Sequence, residues 1–516
     1  MKRMILWVLV AATLICSTTV VTAQTAEPSQ TLTEIANVNE CTVYKFNYPS
    51  VNAAGEETVL SSALFAWTPA ERQEGDGIES LHIYSHITIT ADIERPTTTE
   101  GASNDQLLLE VLPGRKYSGG EANYVSRCIV IAPDYEGYGV TKDQPHPYLS
   151  QRVTARQVID AVRYGLELYQ KEAEGSTTLL PMKSDWRTFS IGYSQGGAVS
   201  LAVHREIEEQ GLADELHFQG SICGDGPYDL VATMRYYIED DGTSYGVETS
   251  HRKGKATLPV VLPLILKGLC ETHPAMKPYG IESYLSQELL DTGVLEWIDD
   301  KTYTTNDISK LWYDQLQNGI DDGDRHYTPE QMADLFDSPS SDKVWGKIDK
   351  MFTPEIYEYM SDASHFDAVP EEPANAAEAL HCALVDNSVI TDWEPQHRIQ
   401  FFHSKADVIV PYGNYLSFRD AHLLDEDSMY RVDDTFSASD HFIAGATFLM
   451  TLLAAKSYGS CFNWICEGNT PTGIDEMEDV RGKMSDVWYD LSGRRLSAKP
   501  AQKGIYIRDG TKVVIK

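Results

Sequence analysis

The stretch that decides the fold runs Arg187-Thr188-Phe189-Ser190-Ile191-Gly192-Tyr193-Ser194-Gln195-Gly196-Gly197-Ala198-Val199-Ser200-Leu201-Ala202-Val203-His204. Arg187 to Ile191 is short, partly apolar and β-prone, as a buried strand is. From Gly197 onward, Val199, Leu201, Ala202 and Val203 give the pattern of a helix laid on a sheet. Between them stands Gly192-Tyr193-Ser194-Gln195-Gly196. A strand that turns at once into a helix strains its pivot residue and crowds the residues two before and two after, which are best as glycine. The pivot side chain, Ser194, is left standing above the sheet edge with the helix N-terminus aimed at it. The chain holds its own control. Gly242-Thr243-Ser244-Tyr245-Gly246 has the same spacing, but it follows Glu239-Asp240-Asp241 and precedes Val247-Glu248-Thr249, so it reads as a loop.

Outward from this turn, strand patterns alternate with helical ones. Val43 to Tyr48 and Thr58 to Trp67 read as a leading antiparallel pair, after a polar and loosely held Gln24 to Asn39. Leu81 to Ile89, Arg127 to Pro133 and Phe218 to Cys223 are further strands. A helix with Val158, Val162, Leu166 and Tyr169 on one face lies among them. That rhythm predicts an α/β fold with a mostly parallel sheet covered on both faces. Between residues 228 and 390 the rhythm changes to helical patterns with no alternating strand, which reads as an inserted helical cap. Arg398 to His403 and Met429 to Val432 resume the sheet, and Phe442 to Ala455 is a strongly apolar helix. The catalytic domain is therefore expected over residues 24–227 and 391–466. A linker is expected over 467–486, and a small β module of short strands and glycine turns over 487–516.

Composition bounds the rest. The chain has 516 residues, 42% of them hydrophobic, and a net charge of −35, which speaks against nucleic acid as a partner. Residues 1–23 have the form of a signal peptide: Lys2 and Arg3, an apolar run from Met4 to Ile15, and Val21-Thr22-Ala23 as the cleavage site. A lipoprotein signal at Cys16 is the alternative, opposed by the large Ile15 before it. No other segment is long and apolar enough to span a bilayer. The expectation is a secreted, periplasmic or cell-surface protein. Cleavage leaves seven cysteines, with Cys461 and Cys466 close enough in sequence to pair and Cys128 and Cys223 in strands as buried thiols. No Cys/His cluster has zinc spacing, and the serine chemistry read below needs no metal or organic cofactor.

A serine hydroxyl is a weak nucleophile until a base stands beside it and N–H groups face the developing oxyanion. With a serine on such a turn, the order along the chain is serine, acid, histidine. Asp407 lies on the loop leaving the strand Ile399 to Phe402, with Asp225, after the preceding strand, as the alternative acid. Only His422 and His441 follow Asp407. His422 lies in a helical stretch, whereas His441 follows the last strand and precedes the apolar helix. Ser194, Asp407 and His441 are thus the catalytic candidates. The oxyanion donors are expected at the backbone of Gln195 and, from the loop after the third strand, Ile87. Tyr193 and His86 are expected to line the substrate site.

On Ala132-Pro133-Asp134-Tyr135-Glu136-Gly137-Tyr138-Gly139, Gly192 to Gly197, Gly226-Pro227-Tyr228-Asp229-Leu230, Asp407 to Pro411 and Asp440-His441, the chain resembles the α/β-hydrolase superfamily. More narrowly, it resembles secreted lipases and esterases with a cap inserted before the acid-bearing strand. The resemblance spans about residues 40–460. It implies Ser194 as nucleophile, Asp407 as acid and His441 as base, and Asp134 as part of a structural loop. The last 30 residues resemble C-terminal sorting modules of secreted Bacteroidetes proteins, which implies a secretion machinery as partner. The expected activity is hydrolysis of a small-molecule or lipid carboxylic ester. A serine peptidase on the same fold and a non-catalytic binding protein are the alternatives. In Leu258 to Leu266, two prolines four apart mean that a regular helix would be interrupted or would have to start near them. That stretch is expected either in the cap core or, through Val261 and Leu264, in the wall of an acyl pocket.

Overall fold

The computed structural model describes residues 26–98, 109–117, 124–422, 428–436, 438–469 and four short strands between 488 and 515. The signal-peptide segment and residues 470–486 of the expected linker lie outside the described residues. The main sheet has nine strands: β1 (Thr33–Val38), β2 (Cys41–Val51), β3 (Glu57–Trp67), β4 (Ile78–Ser85), β5 (Cys128–Pro133), β6 (Met182–Tyr193), β7 (Phe218–Gly224), β8 (Arg398–Phe402) and β9 (Tyr430–Asp433). Their spatial order is β1-β2-β3-β5-β4-β6-β7-β8-β9. The pairs β1–β2, β2–β3 and β3–β5 are antiparallel, and the rest run parallel. The first of these strands was not expected: β1 occupies part of the polar leading segment.

Alternation along the strands builds a core on each face. Ile129 and Ile131 of β5 pack with helix α1 (Gln151–Ala173) and helix α2 (Gln195–Glu209). Cys128, Val130 and Ala132 point the other way, toward α4 (His441–Leu453) and α5 (Ala455–Asn469), which follow the cap helix α3 (Val261–Thr272) in the chain. Side chains of a strand point to opposite faces in turn, so a strand buried on both sides must be apolar throughout. Because α5 runs to Asn469, the first residues of the expected linker are helical. Cys461 and Cys466 both lie on α5, about 140° apart around its axis at 100° per residue. They cannot pair there, and both are free thiols.

The segment between β7 and β8 has its own hydrophobic core, built from residues between Leu230 and Leu384 together with Tyr148 and Leu149. It is not purely helical. Lys255–Ala256, Lys343–Lys347 and Phe336–Ser340 form a three-stranded sheet, and Ile320–Asp322 pairs with Arg325–Tyr327 in a hairpin. The two prolines of the apolar stretch mark the start of α3. Pro259 precedes it and Pro263 is its third residue, where no intrahelical N–H is needed. At the C-terminal end, the short strands Arg495–Leu496, Trp488–Tyr489, Gly504–Arg508 and Thr511–Ile515 pair in that order as an antiparallel sheet.

The chain returns from the inserted segment to the sheet at one buried carboxylate. Glu208 of α2 has a side chain only 1% exposed. It accepts from His204 Nε2 at 2.9 Å, His397 Nδ1 at 2.7 Å, Trp393 Nε1 at 2.8 Å and the backbone N–H groups of Gln396 and His397. Burial alone would raise its carboxyl, but the His204, His397 and Trp393 donors outweigh it and hold it well below the usual glutamate range. A depressed carboxyl stabilises the fold above its ordinary value of 4.5 and loses that contribution as pH falls below it. Replacing Glu208 by alanine should cost about 3 kcal/mol at neutral pH in chemical denaturation. The difference from wild type should shrink in acid.

Candidate active site

Ser194 stands at the junction of β6 and α2 with φ 58° and ψ −125°. Its own N–H donates to Gly224 O at 2.9 Å, which ties the bend to the end of β7. Gly192 and Gly196 allow the bend. A Cβ on Gly192 would lie 2.2 Å from Gly196 O, and one on Gly196 would lie 2.0 Å from Ser85 O. The second sequence match, Gly242 to Gly246, lies in turns between the helix Leu230–Glu239 and the strand Lys255–Ala256.

Three expected residues form one hydrogen-bonded line. Ser194 Oγ lies 2.8 Å from His441 Nε2, and His441 Nδ1 lies 2.5 Å from Asp407 Oδ2. The Asp407 carboxylate is fully buried, and its other oxygen accepts the N–H groups of Ile409 at 2.8 Å and Val410 at 2.9 Å. That turn fixes the carboxylate, and the carboxylate selects the imidazole tautomer with hydrogen on Nδ1, leaving Nε2 to accept from Ser194. His441 opens α4, whose N-cap Asp440 accepts the Ile443 N–H. Burial pushes the imidazole down, but the Asp407 charge and hydrogen bond outweigh it and the net direction is up.

The other expected site residues are distributed unequally. Gln195 is the first residue of α2, where N–H groups have no intrahelical acceptor. Its side chain donates to His146 Nε2 at 3.0 Å, while His146 Nδ1 donates to Glu136 O at 2.8 Å. Ile87 and Thr88 line the cavity above Ser194. His86 is not among the cavity-lining residues. It stacks on Tyr135 with ring centroids 3.9 Å apart, and its Nδ1 donates to Ile87 O at 2.7 Å. Tyr193 does line the cavity, but its hydroxyl is turned inward, to Asp225 and the His441 carbonyl. His422 is buried elsewhere, with Nδ1 donating to Phe418 O at 2.6 Å. Asp134 accepts from Ser61, Thr97 Oγ1 and Thr97 N, a buried loop anchor.

The cavity holds about 300 Å³ and is walled from two sides. Leu258, Val261 and Ile265 come from the inserted segment, and Phe442, Gly445, Ala446, Leu449, Met450 and Leu453 from α4. Leu264 is not on this wall; it is buried in the inserted segment's core. The α4 wall was not read from the sequence, although a signal existed. A helix apolar all round calls for apolar surroundings on more than one side: one side of α4 covers the sheet, another faces the cavity, and Phe442, Ile443 and Met450 remain exposed.

Among the described residues, two donor groups come close enough to share a cation: His204, Glu208 and His397, and Asp225, Asp407 and His441. In both, the carboxylate oxygens are already engaged in hydrogen bonds, which a cation would have to displace.

No protein-family model matches the sequence, and no curated protein matches it. Solved structures do match. A mutant of the rice cell wall degrading esterase LipA from Xanthomonas oryzae superposes with a TM-score of 0.55 at 20% identity, over 81% of this chain and 90% of that one. Another structure of the same esterase gives 0.52 at 21% identity, over 86% and 92%. A protein of Legionella pneumophila to which a hydrolase activity has been ascribed gives 0.54 at 16% identity, over 86% and 92%. The fold they share with this chain is the α/β-hydrolase fold: a mostly parallel sheet with helices on both faces.

The raised imidazole has a direct check. In NMR titration, His441 should titrate above the ordinary 6.5. Asp407→Asn removes the charge that raises it and should bring the midpoint down.

Proposed function

We propose that this chain is a secreted serine hydrolase that cleaves carboxylic esters. The observation that carries the reading is the hydrogen-bonded line Ser194–His441–Asp407 opening into an apolar cavity. Ser194 Oγ attacks the ester carbonyl while His441 Nε2 takes its proton. Asp407 holds the ring and stabilises the imidazolium. His441 then gives that proton to the leaving alcohol. Water, activated by the same nitrogen, hydrolyses the acyl-enzyme and frees Ser194.

The oxyanion would be met by the backbone N–H groups of Gln195 and Ile87. Support for the second donor comes from the way its loop is fastened. The Ser85 and His86 carbonyls crowd Gly196, Tyr135 Oη reaches His86 O at 3.5 Å, and Tyr138 Oη donates to Ile89 O at 2.6 Å. In a trans peptide the N–H points opposite to the carbonyl before it, so fixing His86 O fixes the Ile87 N–H.

The cavity wall suits an apolar acyl chain, each buried methylene adding at most about 0.8 kcal/mol. Secretion is inferred from residues 1–23, and use of a secretion machinery from the resemblance of the last 30 residues.

Ser194→Ala should lower kcat on a short aryl ester by about 10⁴-fold or more and abolish labelling by a fluorophosphonate probe, with folding intact. Retention of a substantial rate would sink the assignment, and a panel of peptide amides run alongside tests the peptidase alternative. Val261→Asp should depress rates on octanoate esters by about tenfold or more relative to acetate. An equal loss on both would remove Val261 from the acyl site.

A further inference from the structure

Asp225 follows β7 at φ 35° with its side chain wholly buried. It sits among Tyr193 of β6, His403, Ser404 and Asp407 of the loop after β8, and His441 of α4. One oxygen of Asp225, one of Asp407 and one ring nitrogen of His441 lie within 4.8 Å of one another. Asp225 Oδ1 accepts the Ser404 N–H at 2.7 Å. Its Oδ2 lies 2.7 Å from Tyr193 Oη, and that same Oη lies 2.6 Å from the backbone carbonyl of His441.

The hydrogens can be counted. A phenol has one, a carbonyl only accepts, and an ionised carboxylate only accepts. Each of these two short contacts requires a hydrogen, so one of them must come from Asp225. Tyr193 itself stays protonated, since burial and the nearby carboxylates push it well above its ordinary value. The charges agree with the hydrogens. An ionised Asp225 beside Asp407 would set two negative charges around a single imidazole in a buried site. His403 does not relieve this, although its Nε2 is 3.6 Å from Asp225. That nitrogen donates to Val410 O at 3.0 Å, and burial pushes the ring down to about 4. Tyr228 on the Asp225 loop and Asp440 at the head of α4 complete the titratable surroundings. Burial first, then the Asp407 charge, pushes the Asp225 carboxyl up to about 8.

We propose that Asp225 works as a neutral carboxylic acid that donates to Tyr193, whose own hydroxyl donates a hydrogen bond to the His441 carbonyl and so positions the imidazole against Ser194. Asp225 is a positioning residue that acts through Tyr193, and the proposal rests on Ser194 and His441 being the reacting pair.

Asp225→Asn mimics the neutral acid, its amide N–H replacing the carboxyl proton and its carbonyl accepting from Ser404. Asp225→Ala removes the donor. On an aryl acetate, the alanine variant should lose about tenfold or more in kcat with KM little changed, and asparagine should restore most of it. The wild-type rate should decline as pH passes about 8, while the asparagine profile stays level there.

A second measurement is independent of catalysis. A carboxyl raised on folding stabilises the fold fully below its ordinary 3.8, and that contribution is lost as pH rises through the folded value. Wild-type stability relative to Asp225→Asn should therefore fall from pH 3.8 to about 8 and level beyond. A flat or rising difference, or an asparagine variant as slow as the alanine one, overturns the proposal. Absence of ester hydrolysis in the wild type would overturn the functional reading instead, and the stability slope would still decide the protonation of Asp225.

Discussion

Ser194 is held in a backbone conformation that residues with a side chain avoid, at a cost of roughly 1–3 kcal/mol. The surrounding chain is arranged so that it stays there. Its N–H reaches back to Gly224 at the end of β7, and Gly197 packs on the same carbonyl. Gly196 lies against the carbonyls of Ser85 and His86 as the chain leaves β4. Three adjacent strand ends therefore meet at one bend. Their loops carry the serine, the candidate oxyanion N–H of Ile87, and Asp225. Straightening the bend would cost all three contacts at once, so the strain is maintained by tertiary structure and not by local preference.

Charge is treated in the interior as sparingly as backbone strain. The chain carries −35 overall, yet its buried carboxylates are individually accounted for. Asp407 has two backbone N–H groups and the imidazole, Glu208 has two histidines, a tryptophan and backbone N–H groups, and Asp134 has Ser61 and Thr97. Donors offset burial to different extents: Asp134, with three, is still pushed up to about 6 by burial, whereas the donors around Glu208 outweigh burial and hold it below its ordinary range. Asp225 has the fewest donors and a charged neighbour, which is why it stands apart.

Much of the site was legible because its elements are local or ordered along the chain. The strand-turn-helix around Ser194 is contained in about twenty residues, and the order of serine, acid and histidine left few candidates. What escaped reading depends on contacts distant in sequence. β1 is largely exposed, so Thr33 to Val38 show no alternation to betray a strand. The small sheets of the inserted segment come from runs of two to five residues, below the length at which a period shows. His86 sits at a strand end, where site residues gather, but it turned to support its own loop. Cys461 and Cys466 looked like a pair because five residues separate them, and a helix places that spacing on diverging faces. The inserted segment, read as helical, also carries a three-stranded sheet and a hairpin.

Helix α4 begins with His441, continues as one wall of the cavity, and bears on the Tyr193 ring through Gly445, where a Cβ would lie 2.7 Å from the ring. The imidazole and that wall thus ride on one rigid rod with no room to slide. The opposite wall, from Leu258 to Ile265, belongs to a segment with a core of its own. The two walls are open to evolutionary change on different terms. A mutation in α4 that reshapes the cavity also shifts the imidazole, so drift there is punished twice. The insert also fastens the turn that holds Asp407, with Tyr237 Oη donating to Ile409 O and Thr257 Oγ1 to Val408 O at 2.9 Å, but away from those two contacts it can be remodelled without reaching the triad. Divergence in what this fold accepts would then accumulate in the insert, while α4 stays apolar and small-sided where it meets Tyr193.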